Sequence, residues 1–197
     1  MTDDFGNRAC ATWLPRADNQ IGAIYGDCGA ILDRFQDLLH TLADNGDEIG
    51  WHPHLHRRTD RRWVQEKDPE RLADILDAGH AALTARGWNP RATRMGGNYG
   101  SFATMQKLQE LGIEVDYSAM PGRSRQDDHV DFDWSKTTSR PFRPGHDDHS
   151  VPGTPSHDLI EVPLGMAQVR AAYDDRPYPR YVDLSFHPRA LGPGLEA

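Results

Sequence analysis

The segment 44–56, "DNGDEIGWHPHLH", decides the fold, because it joins a helix end, a short strand and three alternate histidines. Asn45-Gly46 is a typical helix stop, and the pattern of residues 47–54 predicts a strand. His52, His54 and His56 then follow at the carboxyl end of that strand. Residues two apart on a strand share a face, so we expect the three imidazoles to point the same way.

The rest of the chain alternates between the same two kinds of element. Apolar residues at helical spacing predict three helices, over 29–46, 68–87 and 101–112, with Ser101 as the N-cap of the third. Strand patterns occupy the segments 8–15, 91–97, 113–120, 158–165 and 180–188. This alternation predicts an α/β fold with a parallel sheet and outer helices, as a barrel or a doubly wound sheet. We expect one domain over 1–197, with a long loop excursion at 121–157.

Polar side chains cluster immediately after the predicted strands. Besides the histidines, the group consists of Asp18, Arg94, Asp116 and His187. The carboxyl ends of parallel strands are where α/β folds place their active sites. The clustering therefore favours an enzyme.

Composition argues against several other classes of protein. With 30 acidic and 22 basic residues among 197, the formal net charge is -8, which argues against binding to nucleic acid or to an anionic membrane surface. No apolar run reaches membrane-spanning length, and the start "MTDDFGNRAC" is too polar for a secretory signal. Cys10 and Cys28 do not make a disulfide framework. We expect a cytoplasmic protein, and the sequence does not predict its oligomeric state.

The histidine cluster predicts a divalent metal site. Converging imidazoles suit Zn²⁺ first, with Co²⁺, Ni²⁺ and Fe²⁺ as alternatives. A catalytic zinc takes three protein ligands and keeps one position open. Two histidines are therefore not enough, and a carboxylate or a third histidine must complete the set.

Residues 46–56 resemble the second motif of NodB-type polysaccharide deacetylases, which form carbohydrate esterase family 4. Gly46, Glu48, Ile49 and Gly50 match the lead-in of that motif. His52 matches its first metal histidine and His56 its second. Pro53 replaces the usual hydroxyl residue, and His54 is additional, so the ligand pair is either His52/His56 or His52/His54. The resemblance implies a (β/α) barrel of the NodB type and metal-dependent removal of an N-acetyl or O-acetyl group from a carbohydrate.

Three further segments resemble later motifs of the family, in the family's order. Residues 92–118 resemble the third motif, and Arg94 would orient a catalytic carboxylate there, although Met95, Gly96 and Gly97 depart from the usual motif sequence.

Residues 131–136, "DFDWSK", resemble the fourth motif. There Asp131 or Asp133 would support the acid histidine, and Trp134 would wall the substrate groove.

Residues 181–188 resemble the fifth motif, one residue longer than usual. His187 would be the general acid that protonates the leaving amine. We also expect Trp51 and Asn98 to contact the carbohydrate.

The family's first motif, which supplies the general base and a metal-binding aspartate, has no clear counterpart. "TDDFG" at 2–6 has similar text, but no apolar strand precedes it, so we interpret Asp3 and Asp4 as coincidental. Asp18 is the alternative carboxylate. We expect a barrel that is incomplete at both ends, as in a truncated or mis-started gene product.

Two alternatives stay open from the sequence. The first alternative to a deacetylase is a catalytically impaired relative that only binds glycan or metal. The second is a different metal hydrolase of the amidohydrolase or PHP-type phosphoesterase class. In those barrels the His-x-His pair belongs to the first strand. In this chain a strand and a long helix precede the His-x-His pair, which counts against the amidohydrolase and PHP-type classes.

Overall fold

The computed structural model describes residues 6, 10–171, 180–182 and 195–196. Its helices are α1 (Asn19–Tyr25), α2 (Ala30–Arg34), α3 (Gln36–Asp44), α4 (Pro69–Thr84) and α5 (Phe102–Glu110). Its first strands are β1 (Thr12–Trp13), β2 (Glu48–Ile49), β3 (His56–Arg58), β4 (Trp63–Gln65), β5 (Ala92–Thr93) and β6 (Val115–Asp116). The later strands are β7 (Ser124–Gln126), β8 (Asp131–Asp133), β9 (Ile160–Glu161), β10 (Ala167–Ala171), β11 (Arg180–Val182) and β12 (Leu195–Glu196).

Five short parallel strands form the sheet that organises the molecule. β1 pairs with β2, and β5, β6 and β9 pair in that order, all in parallel. A parallel bridge between Trp51 and Thr93 joins the two groups. The order β1-β2-β5-β6-β9 follows the chain without a reversal, which is the order of a barrel and not of a doubly wound sheet.

The prediction of an α/β fold with a parallel sheet is therefore confirmed. A closed barrel is not seen in the described residues, where the sheet is an open strip. β10 lies between β11 and β12 in a separate antiparallel sheet.

Helices cover the sheet with two apolar clusters. The larger cluster packs leucines of α2, α3 and α4 against Ile49 and Trp51 at the end of β2. The indole of Trp51 is fully buried, and its N–H donates to Ala17 O at 2.8 Å. The smaller cluster packs Met105 of α5 against Phe132, Trp134 and Leu159. Burial of this apolar surface supplies most of the stabilisation of the fold.

The predicted helix over 29–46 is interrupted in the structure. Phe35, with φ -116° and ψ 21°, separates α2 from α3. The sequence interpretation also missed α1, whose N-cap is Asp18. The other two helices are confirmed, with Asp68 capping α4 and Ser101 capping α5 in a capping box.

The predicted strand over 47–54 is shorter than expected. It pairs regularly only at Glu48–Ile49, and His56 opens a hairpin of β3 with β4. Pro53 lacks an amide hydrogen and cannot donate to a ladder. The interpretation of one histidine-bearing strand was therefore wrong, since only His56 lies in a strand.

The predicted excursion at 121–157 contains more order than a loop. β7 and β8 form an antiparallel hairpin. Phe142 and Glu161 then exchange both backbone hydrogen bonds, at 3.0 and 2.8 Å, so this segment pairs with the edge strand β9. Pairing satisfies a sheet edge that would otherwise be open.

None of the helices in the described part of the chain has the length and apolarity needed to cross a bilayer. The longest, α4, has 16 residues, whereas about 20 apolar residues are needed to span the hydrocarbon core. His187, Asp3 and Asp4 lie outside the described residues.

Candidate metal and carboxyl site

His52 and His54 bring their ring nitrogens together at the carboxyl edge of the parallel sheet. Their Nε2 atoms are 3.2 Å apart, and the rings meet edge-to-face with centroids 4.9 Å apart. The backbone just before them continues the sheet, because Trp51 N–H donates to Ala92 O and His52 N–H to Pro15 O. The sequence therefore predicted correctly that these two imidazoles lie together.

Backbone geometry fixes which nitrogen of His52 is free. The Nδ1 atom lies 2.5 Å from Arg94 O. A carbonyl oxygen only accepts, so Nδ1 carries the proton and Nε2 keeps its lone pair toward His54. Metal-binding histidines are typically oriented by such a bond to a backbone carbonyl.

The backbone of the segment 94–96 lies against the rings of both His52 and His54. Arg94 N–H donates to Trp51 O at 3.0 Å, and Gly96 N–H donates to Pro53 O at 2.7 Å. The ring of His54 lies so close to Gly96 that a Cβ there would be 2.2 Å from its Cδ2 atom. Glycine at position 96 therefore allows the imidazole to sit against the backbone.

His56 takes part in the cluster but faces another partner. Its ring stacks on that of His54, with centroids 5.5 Å apart. Its Nε2 donates to the backbone oxygen of His129 at 2.9 Å, and the two rings are 4.8 Å apart. Of the two ligand pairs that the sequence left open, the geometry favours His52/His54. Sequence analysis missed His129, which arrives from the turn between β7 and β8.

Burial keeps the histidine rings neutral. Desolvation lowers the pKa of His52 and of His56, and it lowers the pKa of His54 to about 3, with the nearby charge of Arg16 acting in the same direction. Protonated imidazoles cannot bind a metal. At neutral pH both imidazoles of the His52/His54 pair are therefore neutral, which is the form that binds a metal.

The carboxylate of Asp18 is next to this pair, and both of its oxygens accept hydrogen bonds from the protein. Its Oδ1 accepts the amides of Gln20 and Ile21, which caps α1. Its Oδ2 accepts from the Nε of Arg16 at 2.9 Å and from the amide of His54 at 3.2 Å. The structure thus brings Asp18 to the site, where it holds the backbone of His54. Its use as a ligand or base stays a prediction.

We expect Asp18→Ala to destabilise the protein more than Asp68→Ala. Each aspartate caps a helix through two amides, and loss of a cap costs about 1 kcal/mol. Asp18 is fully buried and also holds Arg16 and the His54 amide, so its loss should cost about 3 kcal/mol in total. Urea unfolding measures both values. Equal losses would mean that Asp18 is only a cap.

Arg94 and Asn98 lie on the same side of the sheet as the predicted site. The side chain of Arg94 is half-buried, and its guanidinium donates to Asn98 Oδ1 at 3.4 Å. The charge of Arg94 also lowers the pKa of His52 and of Asp116. Arg94 is therefore placed to influence the pKa of both groups, and its role in orienting a catalytic carboxylate stays a prediction.

The remaining predicted residues lie elsewhere. Asp131 forms an ion pair with Lys67, and Asp133 is exposed and accepts the amide of Ser135 at 3.0 Å. Trp134 is fully buried and donates its indole N–H to Asn98 O at 2.8 Å. The predicted substrate contacts of Trp51 and Trp134 do not match these positions, since neither indole offers an exposed surface.

A second group, a carboxyl pair, lies at the ends of two neighbouring strands. Asp116 and Glu161 are register partners on β6 and β9, and both are fully buried. Burial raises the pKa of Asp116 to about 6. It also raises the pKa of Glu161 well above its usual range, with the Asp116 charge adding to the effect. Sequence analysis noted Asp116 but missed Glu161, whose signal was an acid inside the apolar strand "DLIEVPL".

The His52/His54 pair fits two ligand positions of a metal ion. Two nitrogens at zinc–nitrogen bonds of about 2.1 Å and a tetrahedral angle are separated by about 3.4 Å, close to the 3.2 Å found here. Within the described ranges, no group of three or more histidine, cysteine, aspartate or glutamate residues is arranged to hold a metal. The described residues therefore contain no complete metal site, and metal binding by the His52/His54 pair stays a prediction.

Comparisons with known proteins give one structural likeness. No family model matches the sequence, and no curated protein matches it. A crystal structure described as "putative polysaccharide deacetylase from Mycobacterium smegmatis" matches with a TM-score of 0.42 and 20% identity. The match covers 70% of this chain and 38% of that one. At this similarity the likeness does not assign the chain to a family.

Proposed function

We propose that the protein is a metal-dependent carbohydrate deacetylase of the NodB type. The observation that carries the proposal is the convergence of the Nε2 atoms of His52 and His54, 3.2 Å apart, beyond the carboxyl end of β2. The His52 Nδ1 contact with Arg94 O supports it, because it leaves the Nε2 lone pair free. The ordered resemblance of four segments to the family's motifs supports the choice of substrate class.

In this proposal His52 and His54 hold the ion, with Zn²⁺ as the first candidate. The bound metal would polarise the acetyl carbonyl and lower the pKa of a water molecule. Arg94 contributes positive charge beside the pair and keeps His52 oriented through its carbonyl oxygen. Asp18 holds the backbone of His54. The predicted role of His187 is to protonate the leaving amine.

The test combines metal content with acetate release. We expect the purified protein to hold zinc near one equivalent, and to release acetate from chitooligosaccharides or from an O-acetylated glycan. Removal of the metal with a chelator should reduce the rate by on the order of 100-fold or more, and Zn²⁺ or Co²⁺ should restore it. Acetate release that persists unchanged in the metal-free protein would contradict the proposal.

A relative that binds metal without hydrolysis is the second candidate. The observation that favours it is the carboxylate of Asp18, since a base must accept a proton from water and Asp18 already accepts five hydrogen bonds. Stoichiometric zinc without acetate release would select this candidate. Release of phosphate from phosphoesters would instead select the PHP-type alternative.

A further inference from the structure

In the buried pair of Asp116 and Glu161, one oxygen of each carboxyl group has no hydrogen-bond partner among the described residues. Asp116 Oδ1 accepts the hydroxyl of Ser118 at 2.7 Å, and Glu161 Oε1 accepts the amide of Ala119 at 2.7 Å. The other oxygen of each carboxyl group is buried without a hydrogen-bond partner among the described residues. Because the two groups interact directly, one proton would turn two orphaned acceptors into a donor and an acceptor.

The residues around Asp116 and Glu161 do not supply enough positive charge to neutralise both carboxylates if both were ionised. Arg94 is the cation that acts on Asp116, and its effect on the pKa is smaller than that of burial. Thr93 on β5 and Phe142 at the edge of β9 are neutral register partners of the two acids. Ser118, Tyr117 and Ala119 are also neutral. A doubly ionised pair would therefore be costly in this position.

A short chain of hydrogen bonds connects this pair to the histidines. The Ser118 hydroxyl donates to Asp116 and accepts the amide of Met95 at 2.8 Å. Met95 is the centre of the 94–96 segment, which binds Nδ1 of His52 through Arg94 O and lies under the ring of His54 at Gly96. The carboxyl pair is thus two hydrogen bonds away from the segment that lies against the histidine pair.

We propose that Asp116 and Glu161 share one proton at neutral pH and that the protonated pair, through Ser118, positions the 94–96 segment beneath His52 and His54. Loss of the shared proton at alkaline pH then shifts that segment and the two rings. The inference deepens the proposed function, on which its catalytic meaning rests. Asp116, Glu161 and Ser118 are positioning residues in this account, since they act through the backbone.

The first test follows stability against pH in the metal-free protein. Carboxyl groups whose pKa is raised by folding contribute stability at low pH and lose it as pH rises through the folded pKa. The midpoint of thermal unfolding of the wild type, minus that of Asp116→Asn/Glu161→Gln, should therefore fall by about 5 °C between pH 5 and pH 9. The subtraction removes the contribution of the histidines, which both proteins share. Asp74→Asn, an exposed carboxyl on α4, is the control and should leave the profile unchanged.

The second test reads the rings themselves by NMR. The pKa values of His52 and His54 are lowered, so their ring protons should not titrate between pH 7 and pH 9. We expect both to shift in that range because the carboxyl pair ionises, and Asp116→Asn/Glu161→Gln, which removes both ionisable groups, should abolish the shift. Ser118→Ala removes a hydrogen bond that lowers the pKa of Asp116, so the alkaline loss of stability should persist at a higher pH while the ring shift is lost.

Two results would overturn the inference. A pH profile of the Asp116→Asn/Glu161→Gln protein that matches the wild type would show that no proton is shared, and ring shifts that survive Ser118→Ala would exclude the connection. Since both tests use metal-free protein, they give the same result whether or not the protein proves to be a deacetylase.

Discussion

His52→Ala and His54→Ala are each expected to abolish stoichiometric zinc binding and to reduce acetate release by on the order of 100-fold or more. Each change removes one of the two nitrogens that converge at 3.2 Å. A metal left with one imidazole from this pair loses both affinity and fixed geometry. Elemental analysis and calorimetric titration with Zn²⁺ measure the first effect, and an acetate assay measures the second.

His56→Ala and His40→Ala serve as matched controls. The Nε2 of His56 donates to a backbone carbonyl, so its removal should cost stability and leave most of the zinc affinity. His40 is exposed on α3, with its ring tilted against that of Trp88, so its replacement should affect neither zinc affinity nor stability to a comparable degree. If His56→Ala loses zinc as fully as His52→Ala, the ligand pair is His52/His56, as the family motif has it.

The sequence predicted what depends on local pattern. Parallel strands alternating with helices follow from the periodicity of the apolar residues, and the cap at Ser101 follows from residue type. The neighbourhood of Asp18, His52, His54, Arg94 and Asp116 followed from a topological rule, because carboxyl ends of parallel strands share an edge.

What the sequence missed depends on contacts between distant segments. His129 reaches His56 across 73 positions, and no periodicity predicts which loop residue a hairpin delivers. Trp51 and Trp134 were predicted to contact the substrate, Trp134 from its resemblance to the fourth motif, but each indole N–H donates to a backbone carbonyl. An aromatic ring with one polar group is suited both to a buried core and to a substrate-binding surface. Glu161 was missed because one acid does not change the apolar pattern of a strand.

Gly96→Ala should separate the geometry of the histidine pair from its chemistry. The added Cβ would lie 2.2 Å from Cδ2 of His54, so the ring must leave its present position beside His52. We expect zinc affinity to fall by about 10- to 100-fold, an effect of the size seen when groups that orient ligands are lost. Overpacking of this kind also costs about 1–3 kcal/mol of folding free energy.

The control for Gly96→Ala is Gly112→Ala, where the backbone has φ +81° and the space around a Cβ is open. That change should cost about 1 kcal/mol through backbone strain and should leave zinc affinity intact. The double variant Gly96→Ala/His54→Ala removes the ring that the methyl group meets, so it should recover stability relative to the sum of the single changes. Full additivity of the two changes would mean that the methyl group is accommodated without displacing His54. The close approach of residue 96 would then be unrelated to how the pair is held.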